Sequence, residues 1–537
     1  MTLLARLEAR APWVAGVAAF VAFWATRAMS PTEWDSVQLV LGLDRFDVRQ
    51  DSPHAPGYWG YVAVGRLIRA VTPFDGTTAL TLASALAAAS TVGLVVVVGR
   101  DLAGRWLGFA AAATVATIPF FWFYGSTIAS YAFEALASTV LMLLAWRARP
   151  GGRHGAVAAV VLGLAGGFRP TALIVLFPLA FVAALRANRG VRAWSVSAAA
   201  GALAVAAWLV PMTLEQPGGL REIMHNNDVF WDNAASRTSV FSDGSQAAQN
   251  FKTLTAHMVA ALGLVAALGV VALAVGVRRS NRDDVARAAS RFTPVELLLA
   301  ATLPPFAFMA LFHFGKSGYL LSLLPAAVLL ALWPVARLRS RWRVAGSVAV
   351  VLIAAFGAQQ FLFRAGALPS ALVDEGPWFT RRANSAPFGG TRDVIRAADR
   401  YQAVFDEIRA RFDPDSDVLV YVSGNGAHWY RHAMEALPEF TIHLNDTRDA
   451  RTGRGDQYER EEDGAIEVPP GGQALVAVDL PTAELADMQR RGVAEAIHLD
   501  AGAAVWRVPP GETVNGVRIV EVEGALDRPL TIRSPES

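Results

Sequence analysis

Apolar runs dominate the first two-thirds of the chain, and a helix of roughly 17–25 such residues crosses a hydrocarbon layer of about 30 Å. The first six runs are Pro12–Met29, Thr77–Gly99, Arg105–Tyr124, Ser130–Trp146, His154–Phe168 and Thr171–Ala187. Five more follow at Ala193–Met212, Leu254–Val277, Pro294–Phe314, Tyr319–Leu338 and Val344–Phe363. The fifth and sixth meet at a Gly-Phe-Arg-Pro break, Gly167 to Pro170. Beyond Phe363 the pattern changes. Residues Asp393–Phe412 carry apolar side chains at helical spacing, while Asp417–Ser423, Phe440–Leu444, Ala474–Val478 and Ala504–Val508 read as strands. The segment Asp446–Gly464 is charged and contains glycine, and reads as a loop. The pattern therefore predicts a polytopic all-α membrane domain of about eleven helices over residues 1–363, followed by a small α/β domain over residues 364–537. Long polar connections at 30–76 and 213–253 interrupt the apolar runs, and no repeat of the inverted-repeat kind is visible.

Composition sharpens this division. Of 537 residues, 53% are hydrophobic and 18% charged, against about a quarter charged in a soluble protein. The charges are sparse until about Pro369 and common after it. Arginines gather at Arg6/Arg10, Arg100/Arg105, Arg147/Arg149/Arg153, Arg186/Arg189/Arg192, Arg278/Arg279/Arg282 and Arg337/Arg339/Arg341/Arg343. These clusters fall in alternate connections, the positive-inside pattern, and outweigh Arg27, Arg66 and Arg69 on the opposite side. The expected topology is a multi-pass protein of the cell inner (plasma) membrane with a cytoplasmic N-terminus. An odd number of spans then puts the 364–537 domain outside the cytoplasm. The stretch to Met29 is long and lacks a clear cleavage motif, so it reads as a retained first helix. A net charge of +2 in scattered clusters gives no reason to expect nucleic acid. With no cysteine in the chain, disulfides and thiolate-held metals are excluded.

The first outer loop carries the densest chemistry. In Ser30-Pro31-Thr32-Glu33-Trp34-Asp35-Ser36, Ser30 and Glu33 have capping-box spacing, with proline at the first helical position. Glu33 then has the structural job of closing the cap. Asp35 has none, which makes it a candidate base as well as an ordinary surface carboxylate. Downstream, Asp51-Ser52-Pro53-His54-Ala55-Pro56-Gly57-Tyr58 makes a rigid turn that holds His54 and Tyr58 near the membrane. Trp59 and Tyr61 read as interfacial belt aromatics. Two cations sit at span ends: Arg169, and Lys316 in the turn from His313 to Tyr319. Lys316 is one of two lysines among 48 basic residues. An ionisable group at membrane depth suggests function, although either cation could instead snorkel to lipid headgroups.

Trp34-Asp35-Ser36 followed by Pro53-His54-Ala55-Pro56-Gly57-Tyr58 resembles the first outer loop of GT-C glycosyltransferases, above all the protein O-mannosyltransferase-like families with their "WDS … HPPGYP" signature. Tyr124-Gly125-Ser126, Tyr131 with Glu134, Gly167-Phe168-Arg169-Pro170 and Gly318-Tyr319-Leu320-Leu321-Ser322 fit in order and spacing. The resemblance spans about residues 1–363. Ala55 replaces the usual first proline of the signature and Trp59 its last, and Lys316-Ser317-Gly318 stands where relatives often have an arginine-tyrosine pair. The resemblance implies a sugar donor on a polyprenyl phosphate, a protein or glycan acceptor, and Asp35 as general base for an inverting transfer. It implies Arg169, Lys316, His54, Tyr58 and Tyr319 around the donor and its phosphate, with Glu134, Tyr131 and His313 as secondary candidates. A retaining mechanism would need a second carboxylate about 5 Å away. Glu134 fits that place less well than it fits a polar lining.

The rival reading is a transporter or flippase for a lipid-linked or polyol substrate. Transporters place polar groups at the bilayer midplane, whereas the candidates here collect at span ends. A third reading is a non-catalytic assembly protein that works through its outer domain. No cofactor is expected. A first-loop cation held by Asp35, Asp44, Asp47 or Asp51 stays open, since their spacing matches no known motif. Gly424-Asn425-Gly426 lacks the third glycine of a dinucleotide loop. His428 and His432 share a helix face without a third metal ligand nearby and read as surface histidines. The stretch His225–Asn250 reads equally as an acceptor groove or an interfacial helix.

Overall fold

The computed structural model describes residues 3–240, 247–276, 293–312, 316–363, 390–422, 429–445, 465–477, 483–500, 504–514 and 516–523. All eleven predicted apolar segments are helical. In chain order the first helices are α1 (Leu3–Ala25), α2 (Trp34–Asp44), α3 (Trp59–Val71), α4 (Gly76–Ala103), α5 (Arg105–Thr117), α6 (Pro119–Gly125), α7 (Tyr131–Arg147) and α8 (His154–Phe168). They continue with α9 (Ala172–Val175), α10 (Phe177–Ala187), α11 (Gly190–Glu215), α12 (Gly219–Thr238), α13 (Ala247–Gly276) and α14 (Pro294–Phe312). A 3-10 turn, Ser317–Ser322, leads into α15 (Leu324–Ala336), and α16 (Ser340–Phe363) ends the apolar region. Among the described residues five of these helices are long and apolar enough to cross a membrane, or six if the bent α5–α6 pair is one span. Several of the others are broken by proline. The third predicted run bends by 73° at Pro119, and the sixth and tenth restart at Phe177-Pro178 and Leu324-Pro325. Proline has no N–H to give and is accommodated at the first turn of a new helix.

Contacts divide the chain into two compact units. One holds Met1–Arg27 and the chain from Ala55 through α16; the other holds Ala28–His54 and the chain from Val394 onward. In the first unit α4 is enclosed by its neighbours. By contrast α11, α13 and α16 leave Leu203, Leu214, Val259, Val270, Val351 and Phe363 more than half exposed. So much uncovered aliphatic surface suits helices facing lipid tails, which are as apolar as leucine. This is a multi-pass membrane unit.

The second unit is the expected small α/β domain. It comprises α17 (Arg392–Arg411), β1 (Asp417–Val422), α18 (Trp429–Ala436), β2 (Ile442–Asn445), β3 (Ile466–Val468), β4 (Gln473–Ala477) and α19 (Ala483–Arg490). The strands β5 (Glu495–His498), β6 (Ala504–Val508), β7 (Thr513–Val514) and β8 (Val517–Glu521) complete it. Five strands run in the order β2-β1-β4-β6-β5, parallel across β2-β1-β4 and antiparallel beyond, and β3-β8-β7 form a second sheet. The run Asp-Val-Leu-Val-Tyr-Val of β1 is apolar on both sides because both faces are covered. Leu419 and Tyr421 pack with Phe405 and Ile408 of α17, while Val418 and Val420 pack with Leu485 and Met488 of α19. His432, expected at the surface, is only 6% exposed. The face of α18 that carries it also carries Ala433 and Ala436 into the core, so the histidine goes in with them. The loop Asp446–Gly464 and the segment with Gly424 and His428 lie outside the described residues.

Part of the first loop belongs to this second unit. The backbone N–H groups of Met29 and Ser30 donate to Oδ1 of Asp399 on α17 at 2.8 and 3.2 Å, and Ser30 Oγ donates to the same oxygen at 3.3 Å. The predicted capping box does not form for that reason, as the Ser30 hydroxyl is engaged by Asp399. The helix starts later, at Trp34, with Glu33 in the N-cap position and no side-chain cap bond.

Candidate active site

The membrane unit brings six of the predicted residues together. Helix α7 opens with Tyr131 and carries Glu134 one turn later on the same face. Helix α8 ends at Phe168, and Arg169 follows in extended conformation with its backbone N–H still bonded to Ala165 O at 3.0 Å. Phe133 and Phe168 stack at 4.0 Å, nearly parallel, and so bring the neighbouring Glu134 and Arg169 face to face. Arg169 Nε lies 3.2 Å from Glu134 Oε1, and these side chains are 4% and 1% exposed. The guanidinium is sandwiched by phenol rings, 4.6 Å from the centroid of Tyr131 and 4.5 Å from that of Tyr319. Lys316 Nζ lies 5.5 Å from the Tyr131 ring. Tyr58, at the N-cap of α3, is within electrostatic range of Arg169.

Close backbone packing fixes this cage. A side chain at Gly60, the second residue of α3, would meet the Gly167 carbonyl carbon at 2.8 Å, so the start of α3 rests directly on the end of α8. On its other side α8 is held by Trp208 of α11, whose Nε1 donates to Gly163 O at 2.8 Å. Gly318 leaves room for the Tyr131 ring, which a Cβ there would meet at 2.6 Å. Behind Tyr131, Tyr124 makes an edge contact at 4.9 Å and its hydroxyl approaches Ser317 Oγ at 3.4 Å.

Arg169 and Glu134 form a buried ion pair in an aromatic setting, with Lys316 beside the Tyr131 ring. Nη1 of Arg169 is buried and has no hydrogen-bond partner among the described residues. A planar guanidinium with an uncommitted N–H edge matches phosphate or carboxylate oxygens, and its low-dielectric surroundings strengthen any such contact. Glu134, read from the sequence as a lining group or second carboxylate, is the counter-ion of Arg169. That pairing joins residues on different helices, which no local pattern could reveal.

Asp35 and His54 lie in the second unit. Asp35 sits in the first turn of α2, where a negative charge is favoured by the helix dipole, and it is half-buried. His54 follows a turn closed by reciprocal bonds between Asp47 and Ser52, Asp47 N to Ser52 O at 2.7 Å and Ser52 N to Asp47 O at 3.0 Å. Asp47 is fully buried and takes Arg49 Nε and Nη2 at 3.0 and 2.9 Å. Among the described residues no group of three or more histidines or carboxylates is placed to hold a metal. His313 lies outside the described residues. Tyr61, expected in an interfacial belt, is instead fully buried. Its hydroxyl donates to Leu80 O at 2.9 Å, lies 2.7 Å from Ser84 Oγ and accepts from Ala129 N at 3.1 Å. Trp59 donates to Glu215 at 3.0 Å, which also pairs with Arg66 at 2.6 Å.

The succession of a helical membrane unit and a small α/β unit has counterparts among solved structures. Among solved structures the chain is similar to ArnT from Cupriavidus metallidurans bound to undecaprenyl phosphate, with a TM-score of 0.55, 12% identity and coverage of 92% of this chain and 97% of ArnT. The apo state of the same ArnT gives a TM-score of 0.55 at 13% identity with the same coverage. The apo oligosaccharyltransferase of Archaeoglobus fulgidus gives a TM-score of 0.44 at 12% identity, covering 85% of this chain and 66% of that one. At these identities the likeness to ArnT is one of fold. No protein-family model matches the chain, and no curated protein matches its sequence.

Proposed function

We propose that the protein is a glycosyltransferase that moves a hexose from a polyprenyl-phosphate carrier to a protein or glycan acceptor outside the cytoplasm. The observation that carries this reading is the caged Arg169, a buried cation with an uncommitted N–H edge, in a chain with the fold of ArnT. ArnT was solved with undecaprenyl phosphate bound, and a polyprenyl phosphate presents the oxygens that such an edge recognises. Lys316 adds a second positive charge beside the same ring.

The acceptor hydroxyl oxygen attacks the anomeric carbon while the bond from that carbon to the phosphate oxygen breaks. The electron pair leaves with the polyprenyl phosphate, and the hydroxyl proton passes to the Asp35 carboxylate. A single displacement inverts the anomeric centre. General-base help is typically worth about 10²–10⁴-fold. A fixed cation that stabilises the departing phosphate contributes on a similar scale, about 10²–10³-fold for one such donor.

The test is transfer from a panel of radiolabelled polyprenyl-phosphate sugars in membranes, comparing wild type with Asp35→Asn. Label reaching an acceptor only with wild type supports the enzyme and its base. Equal transfer by the variant removes Asp35 from the mechanism. No transfer from any donor by intact protein overturns the enzyme reading and favours a transporter of lipid-linked or polyol substrates.

A further inference from the structure

We infer that Asp399, on α17 of the C-terminal domain, is a positioning residue for the loop that carries the proposed base. The inference rests on the reading of Asp35 as that base, and it gives the C-terminal domain a task in the reaction. One carboxylate oxygen gathers three donors from the start of the loop: Met29 N at 2.8 Å, Ser30 N at 3.2 Å and Ser30 Oγ at 3.3 Å. The partners are 370 and 369 residues apart in sequence. No local requirement of a membrane helix or of an α/β domain calls for such a contact.

The geometry suits a tether. Two successive backbone N–H groups converging on one anionic oxygen fix the direction of the chain as well as its place, because charge-assisted bonds to a carboxylate are short and directional. Four residues separate Ser30 from Asp35, and the first three of them are enclosed with Ser30. Ser30, Pro31, Thr32 and Glu33 are all buried. Ser36 N and Val37 N bond to Glu33 O at 3.0 and 3.3 Å, which starts α2 at a defined point. At its far end α2 is seated just as closely, since a Cβ on Gly42 would meet Pro53 Cδ at 2.8 Å. Asp47 then closes the following turn with Ser52. Asp35 is thus carried on a segment anchored at both ends within the second unit, and Ser30, held by Asp399, is the anchored end nearer to it in sequence. A base acts only when its oxygen lies within hydrogen-bond reach of the proton it takes, and a misplacement of about 1 Å can cost about 10²-fold.

The experiment uses the full-length protein in detergent, with Asp399→Ala, Asp399→Asn and Ser30→Ala, and reads transfer kinetics and amide hydrogen exchange. In Asp399→Ala, kcat falls by about 10²-fold with the donor KM unchanged, and exchange at Met29 and Ser30 quickens by about tenfold or more. Asp399→Asn keeps an acceptor oxygen and recovers most of both readouts, and Ser30→Ala has the smallest effect. Unchanged exchange in Asp399→Ala overturns the tether whatever the activity. Faster exchange with kcat unchanged overturns its part in catalysis. Equal loss in the alanine and asparagine variants, with lowered melting of the whole protein, also overturns it by making Asp399 a general structural residue. If wild type transfers no sugar at all, the reading of Asp35 fails, while the exchange data still decide whether the tether exists.

Discussion

Around Arg169, aromatic rings and a single carboxylate enclose a cation that water barely reaches. Around Met29 and Ser30, a half-buried carboxylate collects backbone donors at the start of a polar loop. The first arrangement is held by shape. Its members are fixed by ring stacking and by glycines that let backbones touch, so it is sensitive to volume and to unbalanced charge. The second is held by hydrogen bonds to one acceptor, so it is sensitive to which atoms can accept. A group that must bind a phosphate strongly gains from being dry. A group that must exchange protons with an acceptor needs aim and access instead, and a hydrogen-bonded tether supplies the aim without burying the base.

The sharpest way to break this comparison is Glu134→Ala. It leaves Arg169 buried without its counter-ion, and breaking such a pair costs about 3–5 kcal/mol. The expected outcome is a large fall in the melting temperature of the detergent-solubilised protein, with amide protection at Met29 and Ser30 retained at lower temperature. Loss of that protection in the folded variant would show that the two arrangements are not independent. A smaller effect is expected from Gly318→Ala, whose new methyl meets the Tyr131 ring. Overpacking of this kind costs about 1–3 kcal/mol, and the displaced ring should raise the donor KM more than it lowers kcat. The smallest effect belongs to the surface of the α/β unit. Hydrogen bonds from Arg490 and Arg491 hold the Asp487 carboxyl below its ordinary range. Its contribution to stability is therefore present above the ordinary carboxylate pKa and is lost as pH falls through the lowered one. Acid melting curves of wild type and Asp487→Asn should differ slightly at neutral pH and converge in acid; divergence in acid would reverse the sign.

The legibility of this fold follows the range of the interactions. Apolar runs are local, and each one found in the sequence is helical, although the third and sixth are split into two helices. His154–Phe168 has the predicted bounds, and α16 begins four residues before its predicted start at Val344. The interruptions were less visible, because Pro119 and Pro178 lie inside runs whose hydropathy does not change. The strands β3 and β7 have three and two residues, too few for alternation to show, and β5 and β8 are missed by the sequence pattern as well. The candidate cations Arg169 and Lys316 stood out because they lie at membrane depth, away from the arginine clusters of the opposite side. What they touch did not, since the Glu134–Arg169 pair depends on how α7 and α8 pack. Ser30 shows the same limit: three residues from Glu33 it has the spacing of a cap, but a distant aspartate competes for its hydroxyl and prevails. Tyr61 reads as a belt aromatic until Ser84 and Ala129 are brought to its hydroxyl.

The bond between Met29 and Asp399 also sets a timetable for biogenesis. At about 5–20 residues per second of synthesis, the 370 residues between the partners delay Asp399 by roughly 20–75 s after Met29 has been made. Through that interval the first loop has no partner on the C-terminal helix, however completely the membrane helices have been inserted. A nascent protein truncated before α17 would lack the carboxylate that holds Met29 and Ser30.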